Sequence, residues 1–287
     1  MPELPEVEAL RGFLAQACLG RTVARTELVA FACLKTVALP LSALQGLEVD
    51  AVTRRGKFVV LEVGGVVLAF HLARAGWLTW RESLPVSPAR PGRGPLAFRL
   101  GFDDGSGFDL TEAGTQKRLA IYAVTSLDEV PGIVSLGPDP LADDFTPQAL
   151  AGILQHAGRS QLKGVLRDQR IIAGIGNAYS DEILHAARLS PFKPANGLSP
   201  EEQERLYAAI RGELAEAIER SRGLAAKDLK GDKKLNLRVH GRTGQACPVC
   251  GATIAEVSFA DSSLQYCPTC QTGGKPLADR RLSRLLK

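Results

Sequence analysis

Between about Val23 and Val134, short apolar runs alternate with glycine and charge, as in EVDAVTRRGKFVVLEV, GGVVLAFHLARAGWLTW and LAFRLGFDDGSGFDL. A two-residue alternation broken by turn formers predicts strands joined by hairpins. A helix near Pro5 to Ala17 is expected ahead of them. The stretch GPDPLADDFTP, residues 137 to 147, packs prolines and acids into a loop and marks a domain boundary. Beyond it the texture is helical. TPQALAGILQHAG, RSQLKGVLRD, NAYSDEILHAARL and SPEEQERLYAAIRGELAEAIERSR each open near a Ser, Thr, Asn or Asp suited to capping. Between two of them, IIAGIGNAYSDE leaves backbone uncovered at Gly174 and Gly176 just before a helix starts, and exposed amides at a helix start suit a phosphate. GxGN also occurs in ordinary turns. The chain then passes through KDLKGDKKLNLRVHGRTG into a cysteine-bearing segment, with no internal repeat or low-complexity tract.

Composition narrows the class. The chain has 287 residues, 45% of them hydrophobic, enough for two ordinary packed domains and against disorder. No apolar run reaches the roughly 18 residues needed to span a bilayer, and the N-terminus lacks the basic-then-apolar order of a signal. A soluble, cytoplasmic protein is expected, with no membrane partner. The net charge of +4 is unevenly spread: residues 220 to 287 hold 13 Lys or Arg against 5 Asp or Glu, a net of +8, leaving −4 on the rest. Such a basic quarter suits a polyanion, though a charge run also serves as a solvated face.

Four of the six cysteines form a Cys-x2-Cys-x16-Cys-x2-Cys pattern at Cys247, Cys250, Cys267 and Cys270. Two knuckles at this spacing close one tetrahedral zinc site, and four cysteines leave no open position for catalysis, so one structural zinc ion is expected. Cys18 and Cys33 lie in apolar surroundings and read as buried thiols without chemistry. At the other end, MPELPEVE places Pro2, Glu3 and Glu6 within two turns. Removal of the initiator methionine would leave Pro2 a secondary amine beside a carboxylate. Such an amine can attack an aldehyde-like sugar carbon and form an iminium, with Glu3 supplying or accepting a proton. Proline and glutamate at an N-terminus equally serve as a plain helix start.

Four separated motifs resemble the formamidopyrimidine-DNA glycosylase family, in the family's order: MPELPEVE, RRGKF at Arg54 to Phe58, GIGNAYSDEIL at Gly174 to Leu184, and VHGRTGQACPVCG. The resemblance covers nearly the whole chain. It implies an α+β multidomain fold: an N-terminal catalytic β-sandwich (1 to 136), a linker (137 to 147), a helix-two-turn-helix DNA-binding domain (148 to 240), a C-terminal zinc-ribbon hairpin (241 to 271) and a basic tail (272 to 287). It further implies a monomer acting on damaged double-stranded DNA with the lesion flipped out of the stack. Pro2 corresponds to the nucleophile, Glu3 to the acid that helps open the deoxyribose, and Glu6 to a supporting carboxylate. Lys57, His71 and Asn177 match phosphate-holding positions, with Lys57 counted among the catalytic groups and Lys163 added to the set. Taken without the resemblance, Lys57 reads as a solvated strand-end lysine and His71 as a core histidine. Trp77 and Trp80 are expected to fill the sandwich.

The departures from the family cluster on lesion recognition. Arg74 stands where the family has a methionine wedge. In the loop GTQKRLA, Lys117 or Arg118 keeps a cation opposite the lesion, while Leu119 takes the place of an aromatic wedge. Ser262 replaces an arginine that grips phosphate, and a hydroxyl cannot make that charged bidentate contact. The segment between Asp228 and Val239 is short where the family has a longer cover for 8-oxoguanine. Together these weaken the expectation of an 8-oxoguanine preference. Two alternatives remain open: endonuclease VIII-like specificity for oxidised pyrimidines, against which Leu4 and the PEVE run argue, and a non-catalytic zinc-ribbon protein that binds damaged DNA.

Overall fold

In the computed structural model the described residues are 1–89, 94–259 and 262–278, and they divide into two compact units. The end of the expected basic tail, residues 279–287, lies outside them. The first unit comprises Met1–Ser135 with Arg220–Lys230. Helix α1 (Leu4–Cys18) runs one residue further each way than its pattern suggested. Pro5 sits in its first turn, where no helical N–H is needed. Leu4, Val7, Leu10, Leu14 and Cys18, spaced by three or four, are buried as one stripe. Strands β1 (Val23–Leu28), β2 (Val49–Arg55), β3 (Phe58–Val63), β4 (Val66–His71), β5 (Gly76–Arg81), β6 (Leu96–Phe102), β7 (Gly107–Glu112) and β8 (Ala120–Val124) follow. They form two antiparallel sheets, ordered β1-β6-β7-β5 and β2-β3-β4-β8.

Both sheets contribute to one core, Phe98 and Leu110 from the first and Leu61 and Phe70 from the second. This is the sandwich the hairpin pattern implied. The FVVLEV run of β3 is apolar almost throughout because its two faces are both covered. Val59, Leu61 and Val63 enter the shared core, while Phe58 and Val60 pack with Val130 and with Ile133 of the short helix α2 (Pro131–Val134). Trp77 is 8% exposed in the shared core and Trp80 packs against it, as expected.

The second unit comprises Leu136–Glu219 and Gly231 onward. Helices α3 (Pro147–Ala157), α4 (Leu162–Arg167), α5 (Asn177–Ala186), α6 (Pro200–Ser221) and α7 (Leu229–Asn236) precede a hairpin of β9 (Ala255–Ser258) and β10 (Ser263–Tyr266), closed by α8 (Pro268–Thr272). Thr146 caps α3 by accepting from Ala149 N at 3.2 Å. Within the stretch read as a linker loop, Phe145 is 1% exposed and Gly137 N donates to Gln169 O at 2.8 Å. The cysteine hairpin belongs to the same compact unit as the helices.

Candidate active site and metal centre

Three carboxylates organise the N-terminus. Pro2 is buried, Glu3 and Glu6 are each 2% exposed, and Met1 is half exposed. The Glu6 carboxylate accepts the Glu3 amide at 2.8 Å, so a group one helical turn inside fixes the backbone next to Pro2. Glu8 takes Arg11 at 2.7 Å and Arg54 Nε at 2.8 Å. Arg54 also donates to the Gly56 carbonyl at 3.2 Å. The first two turns of α1 are therefore tied to the β2–β3 hairpin, whose turn ends in Lys57, itself only 7% exposed. Glu3, Glu6 and Lys57 are thus buried charged groups, as are Arg99, Asp109 and Glu112 of the same unit, of which Arg99 and Asp109 pair with each other at 2.7 Å.

Phe58, next to Lys57, lies opposite His71 across β3 and β4, and their rings are 4.9 Å apart. Ala73 N donates to His71 Nδ1 at 3.1 Å, which leaves the ring proton on Nε2. Burial first, and then the Lys57 ammonium, push the imidazole down to about 4. His71 is accordingly neutral near pH 7, with one N–H to offer. The bond needs Ala73 in the left-handed region, φ 50°, and the turn carries the exposed Arg74 before returning at Gly76. A Cβ on Gly76 would meet Leu72 O at 2.2 Å, so no larger residue fits there.

Lys117 and Arg118 are exposed at the end of the loop after β7. The buried Glu112 carboxylate shapes this loop by accepting Arg118 N at 2.7 Å and Leu119 N at 3.0 Å, while the Lys117 ammonium donates to the Glu112 carbonyl. Leu119 itself is 1% exposed and part of the sandwich core. The expectation that it replaces an aromatic wedge is corrected: its side chain fills the core at the start of β8.

In the second unit, Gly174 has φ 88°, and its amide donates to Gln169 Oε1 at 2.9 Å, while Gln169 Nε2 reaches Ile175 O at 2.7 Å. One glutamine thus brackets the glycine turn ahead of Asn177. Asn177 Nδ2 donates to Ser263 O at 2.8 Å, and its buried Oδ1 has no hydrogen-bond partner among the described residues. Lys163 is 4% exposed and gives its ammonium to Asn177 O (2.9 Å), Ser180 Oγ (2.9 Å) and Asp181 Oδ1 (2.6 Å). Three donors meet three internal acceptors, so Lys163 braces the start of α5. Asp181 Oδ2 lies 2.7 Å from His240 Nδ1. Glu182 accepts the amides of Arg238, Val239 and His240 at 2.7, 3.0 and 2.8 Å. Sequence reading missed Gln169, Asp181, Glu182 and His240. An adjacent acidic pair in a helix that is buried along most of its length is what two of them share.

The sulfurs of Cys247, Cys250, Cys267 and Cys270 all lie within 4.8 Å of one another. A tetrahedron with Zn–S near 2.3 Å places sulfurs about 3.8 Å apart, so the cluster fits one zinc ion. Each knuckle is built by a tight turn: Gly251, φ 76°, donates to Cys247 O at 2.9 Å, and Cys270 N points at Cys267 Sγ at 3.5 Å. Val239 and Ile254 pack beside the sulfurs, and Gln271 Oε1 accepts the Cys267 amide at 2.8 Å.

Comparison with known proteins follows the same division. Residues 1–117 match the formamidopyrimidine-DNA glycosylase N-terminal domain, 136–228 the H2TH domain of that glycosylase, and 244–273 the zinc finger found in FPG and IleRS. Formamidopyrimidine-DNA glycosylase of Symbiobacterium thermophilum is 37% identical, over 98% of this chain and 93% of its own length. The chain belongs to the formamidopyrimidine-DNA glycosylase family. The solved MutM (Fpg) protein of Thermus thermophilus matches with a TM-score of 0.78 and 33% identity, over 96% of this chain and all of that one. The Lactococcus lactis enzyme, solved non-covalently bound to DNA containing an AP site, matches with a TM-score of 0.80 and 27% identity, over 94% and 99%. Membership in this glycosylase family accounts for the zinc ion as a structural one. Of the positions expected to act, Pro2, Glu3, Glu6, Lys57, His71, Arg74, Lys117 and Arg118 fall in the first unit; Lys163, Asn177 and the four cysteines fall in the second.

Proposed function

We propose that this chain is a bifunctional DNA glycosylase and AP lyase of base excision repair, taking an oxidised or ring-opened base from double-stranded DNA and nicking the strand through Pro2. Once Met1 is removed, the Pro2 nitrogen is a secondary amine. Its attack on the sugar C1′ displaces the base, which leaves with the glycosidic electron pair and takes up the proton that the attacking nitrogen sheds. Glu3 protonates the ring oxygen as the sugar opens, and the nitrogen lone pair completes an iminium. Loss of a C2′ proton then sends electrons into the iminium and expels the 3′ phosphate, and water releases the enzyme. Glu6 holds the Glu3 backbone through this sequence. Lys57, the Nε2–H of His71 and the Asn177 amide hold phosphates, while Arg74, Lys117 and Arg118 face the space the flipped nucleotide leaves. The chain is proposed to act as a monomer in the cytoplasm; among the described residues no helix is long and apolar enough to cross a membrane.

The observation that carries this reading is the N-terminus itself: a buried Pro2 followed by a buried carboxylate whose backbone is fixed by Glu6. A plain helix start needs neither carboxylate buried. The test is borohydride reduction during incubation with a duplex carrying an abasic site. A covalent protein–DNA adduct mapping to Pro2 is expected, and Pro2→Gly should abolish strand nicking; an adduct on Lys57, or full activity in Pro2→Gly, overturns the assignment. No observation favours a non-catalytic protein or endonuclease VIII-like specificity.

A further inference from the structure

Three polar residues spaced by four, Asn177, Asp181 and His185, form one stripe along α5, and each meets the cysteine hairpin or the strand that leads to it. Asn177 Nδ2 donates to Ser263 O at 2.8 Å, Asp181 Oδ2 accepts from Gln265 N at 3.3 Å, and His185 Nε2 lies 3.3 Å from Cys247 Sγ. The spacings match: four helical residues advance about 6 Å, and the two residues from Ser263 to Gln265 advance about 6.7 Å along β10. Helix and strand are thus held in register at two points, and the third point is a zinc ligand.

His185 is 3% exposed. Its buried Nδ1 has no hydrogen-bond partner among the described residues, so a proton there would be an orphaned donor. The proton therefore belongs on Nε2, aimed at the sulfur. The mutually close ligand atoms are the four cysteine sulfurs, which already complete a tetrahedron, so the imidazole stands outside the ligand set as a donor to a thiolate. We propose that His185 is a positioning residue that hydrogen-bonds the zinc-bound sulfur of Cys247 and ties metal occupancy to the placement of Asn177 at the other end of α5. A helix is stiff over the roughly two turns from Asn177 to His185, so a hairpin loosened at Cys247 also loosens at Ser263, where Asn177 is held. Gln271 adds a second tie near the C-terminus of α5 through Leu189 O at 3.0 Å.

The experiment uses the zinc-loaded full chain, with His185→Phe, which fills the ring's space without a donor, and His185→Gln, whose amide restores an N–H at the same reach. Zinc release is timed against a chromogenic chelator, and affinity is measured for a duplex carrying a non-cleavable abasic analogue. His185→Phe should lose zinc about tenfold faster and bind DNA several-fold more weakly, with His185→Gln returning both toward wild type. Equal zinc release in wild type and His185→Phe overturns the proposal. So does weakened DNA binding with unchanged release, or a defect that His185→Gln does not relieve. The inference rests on the DNA-repair reading only through its second readout: if wild type fails to bind the duplex, that reading fails, while zinc release still decides the hydrogen bond. Should His185→Phe not fold, slower release from wild type than from His185→Asn, whose shorter amide cannot reach the sulfur, is the supporting result, and equal release the overturning one.

Discussion

Glu3 is the N-cap of α1 and follows the proposed nucleophile in sequence, and a capping duty can be separated from a chemical one by substitution. Glu3→Gln keeps the size and the backbone amide that Glu6 accepts, so the fold should persist by thermal unfolding, while base excision should fall at least about a hundredfold for want of a proton donor. A fall of less than tenfold in single-turnover rate would remove Glu3 from the chemistry. His71 gives a second prediction at this scale. Unfolded, its imidazole titrates near 6.5; folded, burial and Lys57 hold it near 4. Between these values the unfolded chain binds more protons. The stability this group contributes is complete above about pH 6.5 and is lost as pH falls toward 4. The urea midpoint of wild type should therefore drop more steeply over this window than that of His71→Gln, and parallel curves would count against a neutral, enclosed His71.

At the scale of elements, α5 organises the second unit. Its N-terminal turn is braced by Lys163, its middle carries Asp181 and Glu182, and its end reaches Cys247. Glu182 holds three consecutive amides ahead of the hairpin, a job no apolar residue can do. Glu182→Ala would leave one buried and two partly buried amides without their acceptor and should cost about 2 to 4 kcal/mol in chemical denaturation, with zinc-hairpin probes melting first. A loss below about 1 kcal/mol would show that water replaces the carboxylate. Just ahead of the segment read as short, residues 226–230 are anchored within the first unit. Trp77 Nε1 donates to Ala226 O at 3.0 Å, the Lys230 ammonium sits 4.4 Å from the Trp77 ring, and Leu229 is 1% exposed.

For the whole molecule the open question is lesion choice. Arg74 is exposed where the family has a methionine wedge, and Leu119 is committed to the core, so no apolar side chain takes the wedge role at either position. The short segment between Asp228 and Val239, read as the loss of the family's longer cover, adds to the same expectation. Discrimination then falls on how readily a nucleotide leaves the stack. Formamidopyrimidines, oxidised pyrimidines and abasic sites are expected to be processed faster than 8-oxoguanine paired with cytosine. Single-turnover rates on matched duplexes check this; equal rates on 8-oxoguanine and the best alternative would end the argument.

What the sequence determined by itself was local or periodic. The cysteine spacing needed only two tight turns to make a metal site, the alternation in Val23–Val134 needed only pairing to make hairpins, and α1 carried its apolar stripe and its Glu3–Glu6 closure within one segment. The tertiary structure decided what depends on partners far along the chain. Lys163 reads as a basic residue with no partner of its own until Asp181 is placed against it, and Leu119 reads as a wedge until β8 pairs with β4 and buries it. Likewise His185 is one polar residue in a helix until Cys247, 62 residues later, arrives at 3.3 Å. Spacing announces a ligand set because its ligands are neighbours in sequence. A buried charge or a lone imidazole acquires its meaning from whichever groups the fold sets beside it, and no periodicity encodes those.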